Sequence, residues 1–351
     1  MNSLQQSVIR ATGRLHSTMH SSIPSASRAA FLALVAGAVL ASCAAGGGKT
    51  LGNASNTPSA TSGTVASASQ SADKAVAGGV NPASIPMGDG HVSTVPKVGY
   101  VDSCITSFRR QPNADGPWIN AAAGTWNSLT KPSSSGAVSW QGATYSVGVT
   151  GSTRTITAND LPIDHPTGTF PVTSSDPTSQ WDHNPNSIVP HPTTISLPLD
   201  PSPAAEPSCV GMGPIGILND GVFLFNALDA AGVDGGAHEV FDQWGEHPDN
   251  AGMLHHHFVP SFIMGAVSHA PGSSTLVGYA ADGYGIYVQY TASGNLVTNA
   301  NLDACHGTTS PVLWNGKVQS VYHYDATLEY PYTVGCFRGT PDSAFTAVHS
   351  S

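Results

Sequence analysis

The chain reads as a mainly β protein: a single large domain, sandwich-like or irregular, with long Pro- and Gly-rich loops and few short helices. Three features of the 351-residue sequence predict this. Short runs of alternating apolar and polar residues recur between turn residues, long runs with a 3.6-residue apolar period are missing, and all six Trp fall in one continuous stretch. Taken in order, the alternating runs are 137–140, 144–149, 153–157, 221–225, 285–290 and 318–324, with Gly, Pro, Asn and Asp between them. Only 226–232 and 238–244 are expected to form short helical turns. Pro is frequent over 162–214, which predicts an irregular surface loop there.

Residues 1–42 read as a targeting segment. Arg10, Arg14 and Arg28 carry positive charge, Asp and Glu are absent, and an apolar run from Ala29 to Ala41 follows, too short to remain as a membrane span. The run ends in Leu40-Ala41-Ser42-Cys43, which resembles the bacterial lipobox. That resemblance implies lipidation of Cys43 and cleavage before it, hence export and a membrane anchor. Ala44, where no Asp stands, favours the outer membrane of a two-membrane cell. An ordinary secretory signal with a chance Cys is the alternative, and Met19 is an alternative start. Residues 43–95 are rich in Ala, Gly, Ser and Thr and predict a flexible tether, because such a stretch buries too little apolar surface to offset its ordering entropy. The β domain is expected over 96–345.

The formal charge of −10, more negative once the leader is removed, is a poor match for nucleic acid or anionic headgroups. Beyond Cys43 the cysteines form an even set: Cys104, Cys209, Cys305 and Cys336. Outside the cytoplasm two disulfides are expected, and of three possible pairings Cys104–Cys209 with Cys305–Cys336 closes loops of moderate length. A thiolate metal site is the rival, but no C-x-x-C pair exists.

Histidine placement carries the chemistry. Leu254-His255-His256-His257 and Tyr322-His323-Tyr324-Asp325 each set ligand-type residues two apart, which on a strand share one face. Each is preceded by a similar stretch, Phe241-Asp242-Gln243-Trp244-Gly245-Glu246-His247 and Leu302-Asp303-Ala304-Cys305-His306-Gly307. The pattern reads as a degenerate internal repeat. Two such units side by side would converge His255, His257, His323 and Asp325 on one divalent transition metal, Zn or Cu by ligand type. His165, Glu239, Asp242, His247 and His306 are candidates for supporting or alternative ligands. The competing reading is structural: buried imidazoles hydrogen-bonded within a sheet.

The stretch from Tyr322 to Gly339 resembles the signature of the YHYH-domain family of exported bacterial proteins. Leu254-His255-His256-His257 falls where such proteins carry a first copy, and Asp282-Gly283-Tyr284 and the segment from Leu161 to Pro171 are similar to other family segments. The first copy departs from the pattern at Leu254 and His256, the second at Asp325, and Trp244 stands where a Cys is expected. The resemblance implies fold and compartment rather than a reaction. Two further readings stand beside metal binding. One is a non-enzymatic envelope module that binds glycan or protein through Trp and Tyr, and the other is a His/carboxylate hydrolase. The sequence contains no G-x-S-x-G elbow, no H-E-x-x-H and no P-loop.

Overall fold

The computed structural model describes residues 79–109, 114–343 and 345. The signal segment and Cys43 lie outside the described residues. Two-residue strands open the fold: β1 (Ile85–Pro86), β2 (Val92–Ser93), β3 (Val101–Asp102), β4 (Ile119–Asn120) and β5 (Thr125–Trp126). The last part of the expected tether is therefore folded. Ile85 is buried and pairs with Trp126, and the Gly88 N–H donates to the Asp234 carboxylate.

A three-stranded antiparallel sheet follows, ordered β6 (Tyr145–Thr150), β7 (Thr153–Ala158), β8 (Thr193–Pro198). Alternation buries Arg154, Ile156 and Ala158 of β7 and Ile195 and Leu197 of β8 on one face. The Arg154 guanidinium lies 4.5 Å from the Tyr279 ring and 4.3 Å from the Trp314 ring, which ties this sheet to the larger one.

The larger sheet has eight strands: β9 (Pro214–Leu218), β10 (Phe223–Phe225), β11 (His247–Pro248), β12 (Leu254–His256), β13 (Ser274–Ala280), β14 (Gly285–Gln289), β15 (Gly307–Trp314) and β16 (Lys317–Asp325). Their spatial order is β11-β12-β10-β9-β13-β14-β16-β15. The order reveals a duplication. In each half a hairpin (β9–β10, β13–β14) is followed by a second hairpin (β11–β12, β15–β16) whose last strand pairs parallel with the first hairpin. The halves meet at β9 and β13, where Gly216 pairs with Ala280, Ile217 with Tyr279 and Leu218 with Gly278. Aligning Gly216 with Gly278 makes this register symmetric about the Ile217–Tyr279 pair, so a local two-fold runs through the seam. The backbones approach closely there: a Cβ on Gly216 would lie 2.8 Å from the Tyr279 carbonyl oxygen, and one on Gly278 would lie 2.6 Å from that of Ile217.

The same alignment matches Asp220-Gly221 with Asp282-Gly283, the two hairpin turns, and both glycines take positive φ (95° and 91°). It also equates Phe225 with Tyr287, His255 with His323, and the Asp242 and Asp303 turns. In those turns Asp242 Oδ1 accepts from Trp244 and Glu246 N–H, and Asp303 Oδ1 from Cys305 and Gly307 N–H.

Among the described residues the helical elements are α1 (Gly235–His238), α2 (Ser261–Ala266) and two 3-10 turns, Pro177–Gln180 and Asn299–Asn301, with helical backbone also at Ser343 and Phe345. Residues 226–232 form turns and not a helix; α1 begins after Asp234, whose carboxylate caps the Ala237 N–H. The Pro-rich stretch is mostly irregular but holds β8. Disulfides join Cys104 to Cys209 and Cys305 to Cys336. No helix among the described residues is long and apolar enough to cross a membrane.

Candidate metal centre

Strand β12 sorts its histidines by face. Leu254 and His256 point one way, His255 and His257 the other. The antiparallel register sets His247 of β11 directly opposite His255. The turn that makes this possible is Asp249-Asn250-Ala251-Gly252, in which Asp249 Oδ1 accepts from the Ala251 and Met253 N–H groups. His247, His255 and His257 are all buried, and one ligand nitrogen from each lies within 4.8 Å of the others. His255 Nε2 is 3.0 Å from His247 Nε2 and 3.2 Å from His257 Nε2.

The surroundings hold these rings in place. Phe225 of the neighbouring strand stacks on His255 at 3.9 Å, and the Phe241 ring lies 4.7 Å from His247. His255 Nδ1 donates to the Met253 carbonyl (3.1 Å) and His257 Nδ1 to the Asn226 carbonyl (2.5 Å). A carbonyl only accepts, so both rings carry their proton on Nδ1 and present Nε2 to the shared centre. Glu239, just past α1, brings Oε2 to 3.1 Å from His257 Nε2 and 3.8 Å from His247 Nε2. Gly235 makes room: a Cβ there would lie 3.0 Å from Glu239 Oε2 and 3.2 Å from His257 Nδ1.

Burial, reinforced by the two neighbouring imidazoles, holds the His255 pKa well below its ordinary value. Burial also lowers that of His247. Burial acts downward on His257 too, but the Glu239 carboxylate outweighs it and the net direction is up. The reverse holds at Glu239, where burial acts upward but His247 and His257 bring the net value down.

The four residues expected to converge are not brought together. His323 and Asp325 sit on β16, separated from β12 by β10, β9, β13 and β14, or about 24 Å at ordinary strand spacing. The reason is the seam: the halves join through their first hairpins, which leaves the histidine strands apart. His323 forms its own buried pair, with Nδ1 at 3.3 Å from Asp325 Oδ1 and Nε2 at 3.0 Å from Ser310 Oγ. Burial pushes the Asp325 carboxyl up.

The other candidates divide. His247 and Glu239 join His255 and His257. Asp242 is a turn residue; besides the N–H groups of its own turn it accepts from the Gly168 N–H, and burial pushes its carboxyl up to about 6. His165 lies in a network on the other face of β12, with Nδ1 2.7 Å from Asp164 and Nε2 3.4 Å from Glu246. His256 belongs to the same network, 3.1 Å from Asp220. His306 is buried against Thr327, and burial pulls its pKa down to about 3. The sequence held no signal for Phe225, Phe241, Gly235 or the Asn226 carbonyl. None of the six Trp is fully exposed; Trp118, Trp126 and Trp314 are buried and Trp140, Trp181 and Trp244 partly so.

The histidine strand, its partners and the seam all lie in one stretch that has a recognisable counterpart. Residues 194–296 match the family model for YHYH protein. This YHYH segment takes in His247, His255 and His257 but not the Tyr322-His323-Tyr324-Asp325 motif. The YHYH family is one of exported bacterial proteins. No curated protein and no solved structure is significantly similar to the chain.

Proposed function

We propose that the chain is an exported lipoprotein, anchored through Cys43, whose YHYH segment binds a divalent transition metal through Nε2 of His247, His255 and His257. One observation carries the metal reading. The backbone carbonyls of Met253 and Asn226 take the Nδ1–H of His255 and His257, so both rings turn Nε2 into one buried centre, 3.2 Å apart, with His247 Nε2 and the Glu239 carboxylate beside them. The Glu239 carboxylate favours a proton on His257 Nε2, and a divalent cation bound at the centre would replace that proton and take the clustered nitrogens as ligands. An imidazole that donates its remote N–H to a carbonyl has the bonding expected of a metal-held histidine. Three imidazole nitrogens, with Glu239 as a fourth ligand, suit Zn(II) or Cu(II).

The test is metal content and metal titration of the mature chain carrying Cys43→Ser, isolated without lipid. About one equivalent of Zn(II) or Cu(II), lost in His255→Ala, is the expected result. No bound metal and no uptake would end the reading. The anchor rests on the lipobox-like Leu40-Ala41-Ser42-Cys43. A Cys43→Ala chain that stays in the membrane fraction would refute it.

A further inference from the structure

Beside the triad lies a cavity of about 210 Å³. Its walls are largely apolar and aromatic, with Trp126, Phe241, Phe258, Met264 and Tyr332 among them, and Lys131 is the one ammonium group on its lining. The Lys131 amine donates to the Gly236 carbonyl (2.5 Å) and lies 4.7 Å from the Phe241 ring centre and 5.4 Å from that of Trp126. An ammonium has three donors, so this carbonyl leaves two for an occupant. Among the described residues Lys131 enters no ion pair.

Several other polar groups of the lining are committed elsewhere, while Ser133, Gln243 and Ser261 also line it. Tyr332 donates to Asp234, the Asp242 carboxylate accepts from the Gly168 and Trp244 N–H groups, and His269 Nε2 bonds the Met264 carbonyl. Burial pulls the Lys131 pKa down to about 7 against the pull of Asp234, Glu239 and Asp182, and those three carboxylates are themselves engaged. Asp234 takes the Gly88 N–H, Glu239 faces His257, and Asp182 takes the Val240 N–H. A concave, mostly apolar site with a few placed polar groups is the usual form of a small-molecule pocket. Here one of those groups is the Lys131 amine, whose charged form an anionic occupant would favour, and rings surround the rest.

We propose that this cavity binds a small aromatic monocarboxylate, its anionic head on Lys131 and its ring among Trp126, Phe241, Phe258 and Tyr332. The Phe241 ring stands between this site and the triad, 4.7 Å from the His247 ring and 5.8 Å from that of His257. The occupant therefore lies next to the metal site without ligating it, and the inference does not depend on metal binding.

The probe pair is naphthalene-1-carboxylate and naphthalene-1-carboxamide, each titrated by calorimetry into the mature Cys43→Ser chain, with quenching of Trp fluorescence as a second readout. The carboxylate is expected to bind at least about ten-fold tighter than the amide, in keeping with a charge-assisted hydrogen bond. Lys131→Met should abolish that preference, Lys131→Arg should keep it, and His255→Ala should leave it unchanged. Should Lys131→Met fail to fold, the carboxylate–amide ratio in the unsubstituted and Lys131→Arg chains still decides. Equal binding of the two probes, no binding of either, or a preference that survives Lys131→Met would overturn the proposal.

Discussion

Replacing His255 by Ala separates what the ring does for packing from what it does for a metal. His255 is the middle member of the triad, within 3.2 Å of both other Nε2 atoms. Structural zinc sites bind with about 10–16 kcal/mol over four ligands, or ~2.5–4 kcal/mol each, so one lost imidazole should weaken binding ~100- to 1,000-fold. Stability should follow by mass action. Metal at a thousand times its Kd adds about 4 kcal/mol, and for a domain of this size each kcal/mol moves Tm by roughly 2–4 °C. The unsubstituted chain should then gain ~8–16 °C on adding Zn(II) or Cu(II), and the variant only ~1–6 °C. In the metal-free state the variant loses the stack on Phe225, about 0.5–1.5 kcal/mol. It also relieves the crowding of three buried ring nitrogens, so its metal-free Tm should stay within a few degrees of the parent. The assay is differential scanning fluorimetry with and without chelator. A parent whose Tm ignores both metal and chelator, or a variant that keeps the full metal shift, would refute the reasoning.

Four further outcomes are expected. Thr308→His with Asp325→His fills the positions equivalent to His247 and His257 beside His323, and should add a second metal equivalent by elemental analysis. Gly235→Ala puts a methyl group 3.0 Å from Glu239 Oε2, and should weaken metal affinity about ten-fold by titration. His165 loses to burial but gains more from Asp164 and Glu246, which raise its pKa from 6.5 to about 10. Its stabilisation is therefore full below pH 6.5 and fades as pH rises through about 10; His165→Gln should cost about 1–2 kcal/mol at pH 7, after discounting for the exposed Asp164, and flatten the Tm decline between these limits. Cys305→Ser with Cys336→Ser opens a loop with a sequence separation of 31, and should lower unfolding free energy by ~3–4 kcal/mol in denaturant titration.

The fold was legible where strands have one wet face. The 153–157 run became β7, where alternation survives because only one face is buried, and the 318–324 run became β16, although its burial rises along the strand and does not alternate. Strand β9 has every residue buried and so shows no alternation, and β8 was hidden among prolines. At the site, the two-residue spacing correctly placed His255 and His257 on one face. The third ring was harder: His247 belongs to a two-residue strand, and only the 249–252 turn fixes its register with β12. The repeat was also legible, but a repeat states that two units are alike and not which edges join. That information sits in Gly216 and Gly278, where each backbone passes too close for a side chain.

The duplication also explains why the two histidine motifs differ in what they can do. Both halves keep the parts that build the strand: the Asp-Gly turn, the aromatic next to the motif histidine (Phe225 on His255, Tyr287 at 4.9 Å from His323), and the turn aspartate. These are the demands of folding. They differ at the positions that face the histidine: His247, His257 and Glu239 in the first half correspond to Thr308, Asp325 and Ala300 in the second. There the imidazole turns Nδ1 toward the Asp325 carboxylate at 3.3 Å and Nε2 toward the Ser310 hydroxyl, and among the described residues no second imidazole shares the centre. One imidazole and one carboxylate are too few to hold a transition metal, whereas His247, His255 and His257 with Glu239 supply four ligand atoms. Metal binding should accordingly be confined to one half, with a single equivalent per chain; two equivalents in the unsubstituted chain would mean that the His323–Asp325 pair had been misread.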